Sequence, residues 1–366
     1  MELKNLVHVY DNPIPQLRSR QAIFPNLCEL DDGTLLCCYN ISEAMEAVDA
    51  RNYLSESKDG GLTWAEPRRM FAEGELPETE SVKCTNLGGG RVVALGYGAV
   101  RTDRDKPSGN PLTGGLIPHR VFWGHSEDNG KTWSDKITVP DAWHAQTEAS
   151  APLVVLKDGS LAAPITGFPN WEGNMTSRRC GRCLITHDGG KTWNDDAVCM
   201  EFPGDSISCY EQRFTVLDSG CVVDIGWNEN LETGERLPNH ITWSEDNGRT
   251  WSAPLSTGIM GQASSVCALG GEKFIAIVSR RRDTEQPGVY GYVVDFSERT
   301  WNVLEEGMIW SAGAGPIQRN QKMAEVFGFL KFGQPAVTRL HDGRLILCFW
   351  YQKEGQFYVD TGEVIL

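Results

Sequence analysis

Carboxylates and amides stand at comparable places along this chain. Glu80, Glu148, Glu211, Gln262 and Gln334 each open a run of β-forming residues, and Asp49 lies in a loop ahead of a hairpin motif. Two carboxyl groups facing each other across a site can act on a glycosidic bond as acid and base, or as acid and nucleophile. Asp49 and Glu211 are the leading pair, with Glu148 and Glu80 as further catalytic candidates. His240, His119 and His144 each sit near the start of a further run and can hydrogen-bond a hydroxyl or move a proton. Arg18, Arg20, Arg51, Arg120, Arg213, Arg280, Arg281 and Arg319, with Gln262 and Gln334, make up the candidate substrate-binding set. Guanidinium recognises carboxylate or sulfate through a planar, bidentate fork. The plainer alternative is that polar residues commonly begin strands, and that most loop arginines are solvated or pair with a nearby glutamate. Only a few of these arginines are expected to meet a substrate.

The elements that must position these residues are legible as repeats. Ser57-Lys-Asp-Gly-Gly-Leu-Thr-Trp64 returns as Ser126–Trp133, Thr186–Trp193 and Ser244–Trp251, and a worn copy ends at Thr300-Trp301. Each reads as a tight hairpin. Asp and Ser bond the local backbone, Gly or Asn takes the positive-φ position, and Trp packs between neighbouring sheets. A second repeat interleaves, with glycine-bearing turns at Asp31–Gly33, Gly88–Gly90, Lys157–Gly159, Asp218–Gly220, Gly270–Glu272 and Asp342-Gly343. The runs after them, such as Thr34–Tyr39 and Arg344–Phe349, are rich in Leu, β-branched and aromatic residues. Six such turns imply six units of four strands, A to D. The sixth lacks the hairpin motif, and Leu3–Tyr10 is left over at the other end. The economical solution is an all-β, six-bladed propeller over residues 1–366, a single domain whose ring is closed by the N-terminal strand. The starts of the A strands then crowd the axis on the face away from the hairpin motifs, and that face carries the site.

This pattern resembles the Asp-box, or BNR-repeat, six-bladed propellers of the sialidase superfamily, over almost the entire chain. The resemblance implies three arginines for a substrate carboxylate, a tyrosine nucleophile paired with a glutamate, and an aspartate acid/base in the first blade's B–C loop. Glu211 matches the family glutamate in its spacing to the turn glycine Gly220, and Asp49 lies in the loop of the family aspartate. The other positions depart. The arginine of the family's Arg-Ile-Pro falls on Ile23 of Ile23-Phe24-Pro25, the tyrosine on Gln334, and the second arginine near Trp227. Glutamine cannot serve as an aryloxide nucleophile and isoleucine cannot clamp a carboxylate, so the standard sialidase mechanism is not expected, nor robust turnover of ordinary sialosides.

A formal net charge of −15 argues against nucleic acid and anionic membrane as partners, though it does not preclude a local cationic pocket. Eleven cysteines without regular spacing do not form a disulfide framework. Together with an N-terminus lacking a long apolar run, they point to a cytoplasmic protein. Cys180-Gly-Arg-Cys183 has the spacing of half a zinc site, but no second pair follows, and neither metal nor cofactor is expected. Gly313–Phe332 is a long insertion before the sixth unit, placed to wall the funnel. The reading is a glycoside hydrolase removing a terminal, anionic sugar from an oligosaccharide. The alternatives are a uronate lyase, with His240, His119 or Tyr210 as base, and a propeller that binds carbohydrate without turnover.

Overall fold

Each Asp-box motif closes its hairpin with its own side chains. The computed structural model describes residues 1–140, 146–175, 178–282, 284–313 and 330–366. Asp59 accepts from the backbone N–H of Leu62 (3.1 Å) and Thr63 (2.9 Å) and from the Thr63 hydroxyl (2.6 Å). Ser57 donates to Asp59 at 2.8 Å and accepts from the Gly61 N–H at 2.9 Å. Asp128, Asp188 and Asp246 repeat the arrangement with Thr132, Thr192 and Thr250. These threonines, through hydroxyl and backbone N–H, hold Asp59, Asp128 and Asp188 down at about 2. A carboxyl lowered by folding stabilises the native state above its ordinary range near 4 and loses that contribution as pH falls through about 2. Asp128→Ala and Asp188→Ala are therefore expected to flatten the acid limb of melting temperature against pH in that window. An unchanged acid limb would show that the hairpins hold without their carboxylates.

The strands between these turns pair into six antiparallel sheets, the blades of a six-bladed propeller. The A strands are Gln21–Glu29, Ser81–Gly88, the interrupted pair Thr147–Glu148 and Val154–Val155, Tyr210–Val216, Ser264–Gly270 and Phe332–Arg339. In the sixth blade the order runs Phe332–Arg339, Leu345–Lys353, Gln356–Ile365 and then Glu2–Tyr10, which pairs from Glu2↔Ile365 to Tyr10↔Val359. The N-terminal strand thus closes the ring. His8 Nδ1 lies 2.6 Å from Asp360, and Met1 ties the N-terminal strand to Glu305 of the fifth blade at 2.9 Å.

Buried apolar side chains gather at the blade–blade interfaces rather than inside any one sheet. Trp64 packs between blades six and one, Trp133 between one and two, and Trp193 between two and three. Trp251 and Trp301 do the same for the next two interfaces, and Trp310 serves the one between blades five and six. A β-sheet hydrophobic on both faces must be covered on both, and the ring satisfies every blade at once.

Three A strands begin irregularly. Bulges interrupt the A–B register between Ile23 and Asn26, Tyr210 and Arg213, and Gly333 and Ala336. Each holds one non-glycine residue at positive φ: Phe24 at 58°, Glu211 at 43° and Gln334 at 38°. Such residues are uncommon, and bulges of this kind re-aim a side chain.

Candidate functional site

The bulges of blades four and six turn Glu211 and Gln334 toward one another. Gln334 Nε2 donates to Glu211 Oε1 at 2.5 Å, and Trp227 Nε1 donates to Glu211 Oε2 at 2.8 Å. Both oxygens of Glu211 are acceptors, the bonding pattern of a carboxylate. Gln334, standing where the family tyrosine was expected, thus meets the glutamate directly, and Trp227 holds it from the position expected for the second arginine.

Glu148 completes the pair. It opens the interrupted A strand of blade three, opposite Thr166. Burial, and then the charge of Glu211, push its carboxyl up to about 7, against the Ser150 hydroxyl and the positive charges of Arg213 and Lys83. Arg213 is buried and donates to Ser150 Oγ at 3.2 Å and to the Gln212 carbonyl at 2.7 Å. Burial lowers the pKa of this guanidinium, and the charges of Glu211 and Glu148 oppose the shift. Arg281 is 5% exposed and donates to the Phe332 carbonyl at 3.4 Å. Gly333 makes that approach possible, because a Cβ there would lie 2.8 Å from the guanidinium. Gln262 is buried and accepts the Arg281 backbone N–H at 2.9 Å, so it supports Arg281 from behind.

Sequence reasoning passed over two members of this group. Lys83, on the second A strand, is 3% exposed and donates to the Phe24 carbonyl at 2.5 Å. Burial lowers its ammonium to about 8. Tyr97 ends the second B strand, its pKa raised by burial and then by the charges of Glu148 and Glu211. The one available signal for Lys83 was a lone charge inside the apolar run Ser81-Val-Lys-Cys84.

Other candidates are committed elsewhere. Glu80, 3% exposed, accepts from the Asn52 N–H (3.0 Å), Arg69 (3.0 Å) and Lys136 (3.0 Å). Arg120 pairs with Glu78 through two nitrogens, at 2.5 and 2.7 Å. These residues form a partly buried ionic cluster that seams blades one and two. Asp49 accepts the Glu43 backbone N–H at 3.1 Å and orders its own loop. Arg51 bonds Glu73 and the Val48 and Ala50 carbonyls, Arg18 meets Glu43 at 3.5 Å, and Arg20 lies beside Tyr10. His240 bonds Asn228 at 2.9 Å and packs edge-on against Phe202, and burial lowers its pKa. Arg280 lies over the Tyr290 ring, and half-buried His119 sits edge-on to Tyr97, lowered by desolvation to about 4. Arg319, His144 and most of the insertion 313–332 lie outside the described residues.

Below the carboxylates an axial channel of about 280 Å³ runs between the A strands, with Lys83, Arg213 and Gln334 in its wall and Glu29 and His341 further along. Among the described residues no cluster of three or more His, Cys, Asp or Glu is arranged to hold a metal ion. Cys180 and Cys183 lie three residues apart on one strand, which sends their side chains to opposite faces. All eleven cysteines are free thiols, and no helix among the described residues is long and apolar enough to cross a membrane.

Comparison with known proteins agrees with this architecture. Residues 110–286 match the family model of a BNR repeat-like domain. A sialidase of Bacteroides fragilis (strain YCH46) is 28% identical over 249 residues, 59% of this chain, and the aligned part spans 45% of that relative's length. A protein of unknown function from Dyadobacter fermentans DSM 18053 superposes over 100% of this chain and 99% of its own, with a TM-score of 0.78 at 17% identity. The NanB sialidase of Streptococcus pneumoniae superposes over 99% of this chain and 71% of its own, with a TM-score of 0.70 at 11% identity. Four Asp boxes, the closed six-bladed ring, the repeat-domain match and the sialidase relative together support membership of the sialidase superfamily.

Proposed function

We propose that the protein is a glycoside hydrolase that removes a terminal, anionic sugar from an oligosaccharide, with Glu148 as general acid and Glu211 as base or nucleophile. The observation that carries this reading is the carboxyl pair held in two different environments. Glu148 is raised to about 7 and so holds its proton on the acid side of neutrality, while Glu211 accepts a hydrogen bond on each of its oxygens. A carboxyl that burial and a neighbouring charge raise toward neutrality is suited to act as the acid of such a pair. Arg213, Arg281 and Lys83 set three cationic side chains against Glu211 and two carboxyls that burial pushes up, Glu148 and Asp224, and this favours an anionic ligand in a protein of net charge −15. Asp49 accepts the Glu43 N–H within its own loop, and Glu148 takes its place in the proposal.

The test is a screen of aryl glycosides and uronate oligosaccharides, followed for released aglycone and for the absorbance of an unsaturated product. A fluorogenic sialoside is included and is expected to turn over slowly. On the substrate found, kcat/KM is expected to fall as pH rises through about 7, because the acid must hold its proton. Glu148→Gln should remove that alkaline limb and lower kcat/KM by about 10²–10⁴-fold. An alkaline limb that survives in Glu148→Gln would assign the acid elsewhere. Unsaturated product would instead establish elimination, and tight glycan binding without turnover would establish a binding propeller.

A further inference from the structure

We propose that Lys83 is the positioning residue of the site, setting the orientation of Gln334 and through it the place of Glu211. The inference rests on the carboxylate-pair reading for its catalytic consequence, but its structural basis is separate. Lys83 is buried on the second A strand, and its ammonium reaches two of the three bulges at once. It donates to the Phe24 carbonyl at 2.5 Å in blade one, and lies 3.5 Å from the Pro25 carbonyl and 3.5 Å from Gln334 Oε1 in blade six. Phe24 and Gln334 are both held at positive φ. The lysine therefore ties together two backbone turns that an L-residue does not adopt without compensation.

The chemistry of the two side chains decides the polarity of the chain. A carboxamide presents an acceptor at one end and two donors at the other, with nearly the same shape. An ammonium has three donors and no acceptor. Beside Lys83, Gln334 must turn its Oε1 inward, which leaves Nε2 to donate to Glu211 at 2.5 Å. Trp227 donates to the other oxygen at 2.8 Å. Reversing the Gln334 amide would set its N–H against the ammonium and its oxygen against the Glu211 carboxylate, with both contacts repulsive. Lys83 thus adds to Glu211 a second, opposite demand on the same amide, and the carboxylate is fixed between two donors on a rigid part of the ring. No contact between Lys83 and the reacting atoms is required.

The indole ¹H–¹⁵N resonance of Trp227, assigned by its loss in Trp227→Phe, reports the bond to Glu211 without any substrate. Lys83→Met and Gln334→Leu are each expected to move that resonance in the same direction, toward its position in Glu211→Gln, and Lys83→Arg should restore it. A Trp227 resonance that stays at the parental position in folded Lys83→Met, while Glu211→Gln moves it, overturns the proposal. Should Lys83→Met not fold, Gln334→Leu decides the matter, since it breaks the link while leaving Lys83 bonded to Phe24; an unmoved resonance there is equally fatal. In the turnover assay each single variant is expected to lose about 10–100-fold in kcat/KM, the scale of a small misplacement of a reacting group. The double variant should lose no more than the worse single one, because both act through one chain. Additive losses would overturn the chain. Absence of turnover on every glycoside would count against the hydrolase reading and leave the indole result standing.

Discussion

Glu211→Gln is expected to abolish turnover, with kcat/KM falling about 10²–10⁴-fold or more, while the melting temperature drops by only a few degrees. In the proposed mechanism the loss follows from removing the carboxylate that serves as base or nucleophile. The near-constant stability follows from shape. Glutamine fills the same volume and its carbonyl still accepts from one of the two donors, Trp227 Nε1 or Gln334 Nε2. The other donor loses its acceptor, a cost of about 1–3 kcal/mol where that group is buried. Glu298→Gln is the suitable control, being an exposed glutamate on the hairpin side of the fifth blade. Gln212, next to Glu211 in the chain, is not suitable. It is buried and bonds Thr166 Oγ1 at 3.0 Å and the Cys209 carbonyl at 3.4 Å, so its replacement would disturb the fold. Near-normal turnover in Glu211→Gln on the true substrate would assign Glu211 a structural role and leave Glu148 as the leading carboxylate.

Deletion of residues 1–12 is expected to have the largest effect on stability. It removes the outer strand of the sixth blade, with its register from Glu2↔Ile365 to Tyr10↔Val359. The buried side chains Val9 and Tyr10 go with it, and burying each such side chain is worth roughly 1.5–3 kcal/mol. The strand Gln356–Ile365 becomes an open edge, a template for pairing with other chains. Asp360, raised by burial, also loses His8 and keeps only the Tyr351 hydroxyl at 3.1 Å. Against a typical stability of about 5–15 kcal/mol, these losses are a large share. The truncated chain should melt far below the parent or precipitate, and a synthetic peptide of residues 1–12 added in trans should recover part of the difference. A truncated chain that melts together with the full one would mean that the closing strand contributes little.

The sequence by itself determined the fold. An Asp box is a local device, in which Asp128 bonds residues within four positions of itself, so its eight residues announce a hairpin wherever they occur. Four good copies interleaved with six glycine turns leave one way to count blades, and the unpaired segment Leu3–Tyr10 had one place to go. Glu211 and Gln334 were legible for the same reason, through their spacing to turns already identified. Which side chains reach the axis depends instead on how the blades come together. Glu80 and Glu148 precede or open A strands in the same way, yet one is closed into an ionic cluster with Arg69 and Lys136 and the other feels the charge of Glu211. Lys83 reads in sequence as a stray charge, and becomes a central contact because Phe24 and Gln334 arrive from 59 and 251 residues away. The physical reason is that bulges set these directions. A single extra residue at Phe24, Glu211 or Gln334 turns a side chain out of its alternation, and none of the three is a glycine or asparagine that would mark the turn in advance. Hairpins are written in neighbouring residues, whereas the aim of a side chain at the axis is fixed by strands from other blades.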